Sequence, residues 1–228
     1  MTNIVFTATL QLILGAFNQF AERAELDVPL PIREQDVTQV KIRERDYGWC
    51  FMVVGERHRF NWTMIGAPSD MRGRIDYDDL KYSTIYMDRE TFLPSLTNLS
   101  STITTDEALQ IAERCLHRLG YDQVKQYRLP PVVGQYTHQT SETDARKPVP
   151  LFGVRWLPKK KDAWEEFVFQ IQVSGISKKV TSFNQLTFEG NVVDLRQFMT
   201  NSTVPVLSPT NATSQSSDNP PQTYSKPP

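Results

Sequence analysis

Side chains able to do acid–base or metal chemistry are sparse in this chain. Of its three histidines, His58 stands beside a tight turn, His117 within a helical stretch and His138 in a polar loop. A metal centre needs ligands presented together, most simply a second His at i+4 with an intervening Glu, and none of the three has such a partner. His117 also falls off the apolar stripe of its helix, where a solvated ring belongs. Asp76, Asp78 and Asp79 are spaced closely enough to hold a hard cation, but the glycine turn and distal Glu of a calcium loop are missing. There is no G-x-S-x-G elbow, no Walker A loop and no strand-linked G-x-G-x-x-G. The residues therefore single out no catalytic, cofactor-binding or metal-ligating set. Paired carboxylates of the glycoside-hydrolase kind are placed by the fold and not by spacing. The enzyme alternative is thus a small hydrolase or other enzyme whose site, in a cleft between two modules, uses His58 or the carboxylates at 76–79.

Binding chemistry leaves a similar trace. Trp49, Trp62, Trp156 and Trp164 all fall in expected strands, where core packing is the default for such large rings. With 25 basic and 26 acidic residues the formal charge is −1, and no basic stripe suits nucleic acid, whose affinity comes from phosphate neutralisation. Lys159, Lys160 and Lys161 cluster, but Asp162, Glu165 and Glu166 follow at once, as at a solvated hairpin tip. Cys50 and Cys115 lack zinc-type spacing and read as small apolar residues, with a single bridge as the alternative in an oxidising compartment. N-x-S/T sequons at Asn61, Asn98, Asn201 and Asn211 matter only in a eukaryotic secretory setting, and chance is the simpler account.

The elements that must position these residues follow from periodicity. Residues 4–17, IVFTATLQLILGAF, match the length of a signal-peptide apolar region and are too short to span a bilayer. Yet MTN carries no positive charge, and Leu10, Leu14, Phe17, Ala21 and Ala24 recur at helical spacing with Gln11, Asn18, Gln19, Glu22, Arg23 and Glu25 opposite. Both readings stay open, and an amphipathic helix accounts for more residues. Pro29 and Pro31 end it. Strands are expected at 37–44, 47–54 and 57–64, with Gly55-Glu56 as a type II′ turn requiring positive φ at Gly55. Residues 66–103 are weakly patterned and read as irregular or as an extra edge strand near 81–87. Thr104-x-x-Glu107 is a capping box opening a helix whose stripe is Ala108, Ile111, Ala112, Cys115 and Leu119, closed by Gly120. Strands follow at 124–129, 151–157, 164–173 and 180–188, with residues 134–150 as a long polar loop. From Asn201 onward 21 of 28 residues are Ser, Thr, Asn, Gln or Pro, the composition of a disordered tail.

The second half resembles a PepSY-type domain, with an Ala-containing helix opened by Thr-x-x-Glu and a sheet ending in a hairpin. The family's V-D-x-x-T-G-x-V is matched by Val173 through Val180, with Ser174 for Asp, Ser177 for Thr and Lys178 for Gly, which shifts the expected turn to Ser174-Gly175. The outline is shared with cystatin-like folds. The whole chain also resembles planctomycete and verrucomicrobial proteins of this layout. The resemblance implies a secreted or periplasmic protein, bacterial in type, engaged in protein contacts or peptidase inhibition.

Together these readings predict an α+β protein of two helix-on-antiparallel-sheet modules, each α-β-β-β. Their bounds are residues 4–66 and 104–198, with 67–103 connecting them and 199–228 as a disordered tail. The expected function is a non-catalytic module with a protein or peptide partner, no nucleic acid, no cofactor and no integral membrane segment.

Overall fold

The computed structural model describes residues 2–45, 48–64, 72–82, 95–121, 128–139, 143, 145–157, 169–185 and 193–194. Helix α1 (Thr2–Arg23) leads into a short 3-10 turn (Glu34–Asp36) and the strands β1 (Val37–Arg45), β2 (Gly48–Gly55), β3 (His58–Met64) and β4 (Arg72–Asp79). Helix α2 (Thr105–Arg118) is followed by β5 (Arg128–His138), β6 (Lys147–Leu157), β7 (Phe169–Ser174), β8 (Val180–Gln185) and the two-residue β9 (Val193–Asp194). Each half is thus a helix followed by a four-stranded meander.

The fold is α+β, but the expected pair of separate α-β-β-β modules is not what forms. The strands make one antiparallel sheet in the order β1-β2-β3-β4-β8-β7-β6-β5, with β9 also on β4. The halves meet where Tyr77 pairs with Phe183 and Asp78 with Ser182. One apolar core spans both halves and takes in Phe17, Phe20 and Ala24 of α1, Ile111, Ala112 and Cys115 of α2, and Phe60, Tyr77, Trp156, Phe169 and Phe183 of the sheet. Helix α1 straddles the join: Phe17 stacks on Phe60 of β3 at 4.7 Å, and Phe20 meets Phe183 of β8 edge-on at 5.4 Å. The apolar faces of both halves thus close on a single shared core.

Three further expectations are corrected. The segment 66–103 contains β4, a central strand; Lys81 and Tyr82 lie in the turn after it, and 83–87 are outside the described residues. Gly55 ends β2 without positive φ; a Cβ there would lie 2.4 Å from the His58 ring and 2.6 Å from the Asp36 carbonyl, so close packing is what requires glycine. The polar loop at 134–150 is largely strand, because Gly134, Thr137 and His138 pair with Gly153, Pro148 and Lys147. Cys50 and Cys115 are free thiols, and burial pushes the Cys115 thiol up. The 159–166 charge cluster, Trp164 and the tail from 199 lie outside the described residues.

Helix α2 forms as its sequence dictates. The Glu107 amide donates to Thr104 Oγ1 at 3.2 Å and the Thr104 amide to Glu107 Oε2 at 2.8 Å. At its end Gly120 is left-handed (φ 82), while Gly120 N–H reaches the His117 carbonyl and Tyr121 N–H that of Leu116. That is the Schellman arrangement, which satisfies carbonyls left over at a helix terminus. The apolar N-terminal stretch is helical, with Leu10, Ile13, Leu14 and Phe17 in the core. No helix among the described residues is long and apolar enough to cross a membrane.

Candidate functional site

The acidic triplet lies on β4, where strand alternation splits it. Asp79 pairs with His58 and Asp76 with Asn61, so Asp76 and Asp78 project from the face away from the helices, and His58 and Asp79 from the helix side. His58 and Asp76 therefore do not converge, and the three carboxylates do not share a cavity.

Each carboxylate is already engaged. Asp78 accepts from Arg59 Nη2 of β3 and from Ser182 Oγ of β8, the latter at 2.8 Å. Asp76 faces Arg74 Nε at 3.2 Å and accepts the backbone N–H of Gln185 at 3.1 Å. Asp79 takes Arg57 Nη2 at 3.1 Å and the Lys81 amide at 2.9 Å. Burial raises the Asp76 carboxyl to about 6 against the opposing pull of Arg74 and the Gln185 amide, with Asp78 adding to the rise. Burial also raises Asp79, opposed by the Lys81 amide and Arg57. His58 is held below its ordinary value by burial, with Asp36 opposing and Arg57 assisting. Its Nε2 has no hydrogen-bond partner among the described residues, and the ring packs over Gly55 and against Phe60 at 5.9 Å. These groups can stitch β3, β4 and β8 together. They offer no nucleophile with a positioned base, and among the described residues no group of His, Cys, Asp and Glu is arranged to hold a metal.

The other predicted positions are structural or peripheral. Trp62 and Trp156 are in the core, where Trp62 stacks with Phe51 at 5.2 Å. His117 is exposed, and His138 is half-buried on β5, the strand at one edge of the sheet.

An open concavity lies elsewhere. A groove of about 700 Å³ lies between the end of α1, the segment leaving it and the β7–β8 turn, lined by Ala21, Glu22, Glu25, Leu26, Val28, Pro29, Leu30, Ser177, Lys178 and Lys179. Its walls are pinned by local chemistry. Glu25 turns the chain out of α1 in a left-handed conformation (φ 52), and its carboxylate is held by Arg114 at 3.3 Å and by Arg118. Leu26 then forms a parallel bridge to Val180, and Asp27 N–H donates to the Val180 carbonyl at 2.8 Å. The side chain of Asn18 clamps Ile32, accepting its N–H at 2.6 Å and donating to its carbonyl at 2.9 Å. Between these two anchors Pro29 and Leu30 are exposed, Leu30 by 43%.

The facing wall is the turn at 175–177 and the two lysines after it. Ser174 Oγ accepts the amides of Ile176 and Ser177 at 3.2 and 3.1 Å, and the Lys178 amide reaches the Ser174 carbonyl at 3.0 Å. The left-handed residue is Lys178 (φ 58), not Gly175, so the turn does not sit at Ser174-Gly175. Gly175 is required by the approach of Ser101, whose Oγ would be 2.5 Å from an added Cβ. Sequence reasoning missed this groove. Its only signals were the Pro29/Pro31 pair and the paired lysines, and nothing in their spacing brings them together. Compared with protein-family models, curated proteins and solved structures, the chain matches none of them.

Proposed function

We propose that the protein is a non-catalytic interaction module that receives a protein or peptide partner in the groove between the α1 exit segment and the β7–β8 turn. The observation that carries this reading is the groove's construction: an apolar wall pinned at both ends, facing exposed charged side chains across an open gap. A preformed recess binds with less ordering cost than a loop that must be assembled. The engaged state of the 76–79 carboxylates, and the placing of Asp76 and Asp78 on the face opposite His58, supports the same reading over a hydrolase.

The PepSY-like resemblance belongs to this proposal, and with it a secreted or periplasmic setting. It is supported by the β7–β8 turn, where Lys178, standing at the family's glycine, is left-handed, and Ser174, standing at its aspartate, accepts two amides. The test is a pull-down with the full chain and with a Leu30→Ser variant as baits. A partner retained by the first and lost by the second is expected. Recovery of no specific partner, or equal recovery by both baits, would overturn the proposal.

A further inference from the structure

We infer that the segment received by this groove is an extended peptide in which acidic residues stand beside an apolar one; the inference rests on the interaction reading above. Four charged side chains line the recess. Glu25 is neutralised by Arg114 and Arg118. That leaves Glu22 on the helix side and Lys178 and Lys179 on the turn, all exposed, none in an ion pair among the described residues. Lys178 also helps to hold the Glu107 carboxyl below its usual range, an effect dominated by the hydrogen bonds from Thr104. Two exposed ammonium groups against one carboxylate give the rim a positive bias in a chain whose net charge is −1.

The backbone fixes where that bias sits. Lys178 and Lys179 lie directly before Val180, which Leu26 bridges, so the lysines are tied to the wall carrying Val28, Pro29 and Leu30. A peptide lying along the wall sets an apolar side chain against Leu30 and its neighbours and an acidic one against the lysines. Glu22, across the recess, disfavours a uniformly acidic run and gives the peptide a direction. Opposite charges at a rim steer association and select partners more than they add affinity.

The test is fluorescence anisotropy on the full chain with a short labelled peptide carrying aspartates beside leucines, and counterparts with asparagine or lysine replacing the aspartates. The aspartate peptide should bind about tenfold more tightly than the lysine peptide, the effect of two exposed ion pairs. That advantage should shrink as salt rises from about 0.05 to about 0.5 M. The exposed double variant K178E/K179E should reverse the order, and L30S should weaken all three. Equal binding of aspartate and asparagine peptides, or an order unmoved by K178E/K179E, overturns the acidic preference and leaves the interaction reading standing. No binding by any probe, with the amide resonances of residues 21–30 and 177–179 unmoved, removes both.

Discussion

Replacing Asp76 by Asn separates two forces that act on the join between the sheet's halves. Asp76 is buried on β4, accepts a backbone amide from β8 and faces Arg74. Burial wins over the arginine and lifts its carboxyl from 3.8 to about 6. A folded-state value above the unfolded one means that the native protein holds this proton more tightly. The stabilisation from protonated Asp76 is complete below 3.8 and is lost as pH rises through about 6. A displacement of that size is worth about 3 kcal/mol. Asn cannot titrate, so the stability of Asp76→Asn relative to wild type should climb by about 2–3 kcal/mol between pH 4 and pH 7.5, most steeply near pH 5. Urea unfolding of both proteins across that range measures the difference. Taking the difference cancels the other titrating groups, among them Asp79, whose carboxyl is also raised. A flat difference would show that the Arg74 contact balances burial. A difference of opposite sign, with wild type gaining as pH rises, would show that Arg74 dominates and would refute the assignment.

Other perturbations probe the turns and the shared core. Gly55→Ala forces the His58 ring and the Asp36 carbonyl away from contacts of 2.4 and 2.6 Å; a loss of about 1–3 kcal/mol is expected in urea unfolding, and an unchanged midpoint would mean that the ring does not pack there. Lys178→Gly removes a left-handed non-glycine residue worth about 1–2 kcal/mol of strain and adds about 0.5–1 kcal/mol of unfolded-state entropy, so thermal melting should show unchanged to slightly higher stability; a clear loss would mean that the Lys178 side chain itself stabilises the turn. Phe20→Ala should cost about 3–5 kcal/mol, because Phe20 joins α1 to β8 across the halves. For the same reason a fragment of residues 1–100 should show no cooperative melting by circular dichroism, and a folded fragment would restore the two-module reading.

Legibility in the sequence tracked how local each element's causes are. Helix α2 could be read nearly residue by residue, since its capping box, apolar stripe and Schellman glycine all lie within 104–121. Strands β1 to β3 were equally plain, because their alternation is long and their hairpins short. Strand β4 was missed: RGRIDYDD offers only Ile75 and Tyr77 as an apolar face. Its charged residues are tolerable in a central strand only because Arg59 and Ser182, from other strands, pair with Asp78. Of the strand expected at 124–129, residues 124–127 lie outside the described residues and 128–129 open β5, whose continuation to His138 was missed because an edge strand with one neighbour needs little apolar patterning. The groove was illegible for a simpler reason. Leu30 and Lys178 are far apart in the chain and meet through the bridge of Leu26 to Val180, which no window of sequence contains.

The two non-local features depend on one another. Among the described residues β4 meets β8 at two pairs, Tyr77 with Phe183 and Asp78 with Ser182, and β9 adds two more at Arg72 and Gly73. Because β4 is held on β3 by seven pairs, a one-residue slip of β8 against it would turn Phe183 out of the core and part Asp78 from Ser182 and Asp76 from the Gln185 amide. The Asp78–Ser182 bond and the Asp76 contact to the Gln185 amide reinforce that register. By holding β8 in place they also hold Val180, and Val180 fixes Lys178 and Lys179 opposite the Leu26–Leu30 wall. Buried charge at the join is therefore the means by which a groove assembled from distant segments keeps its shape.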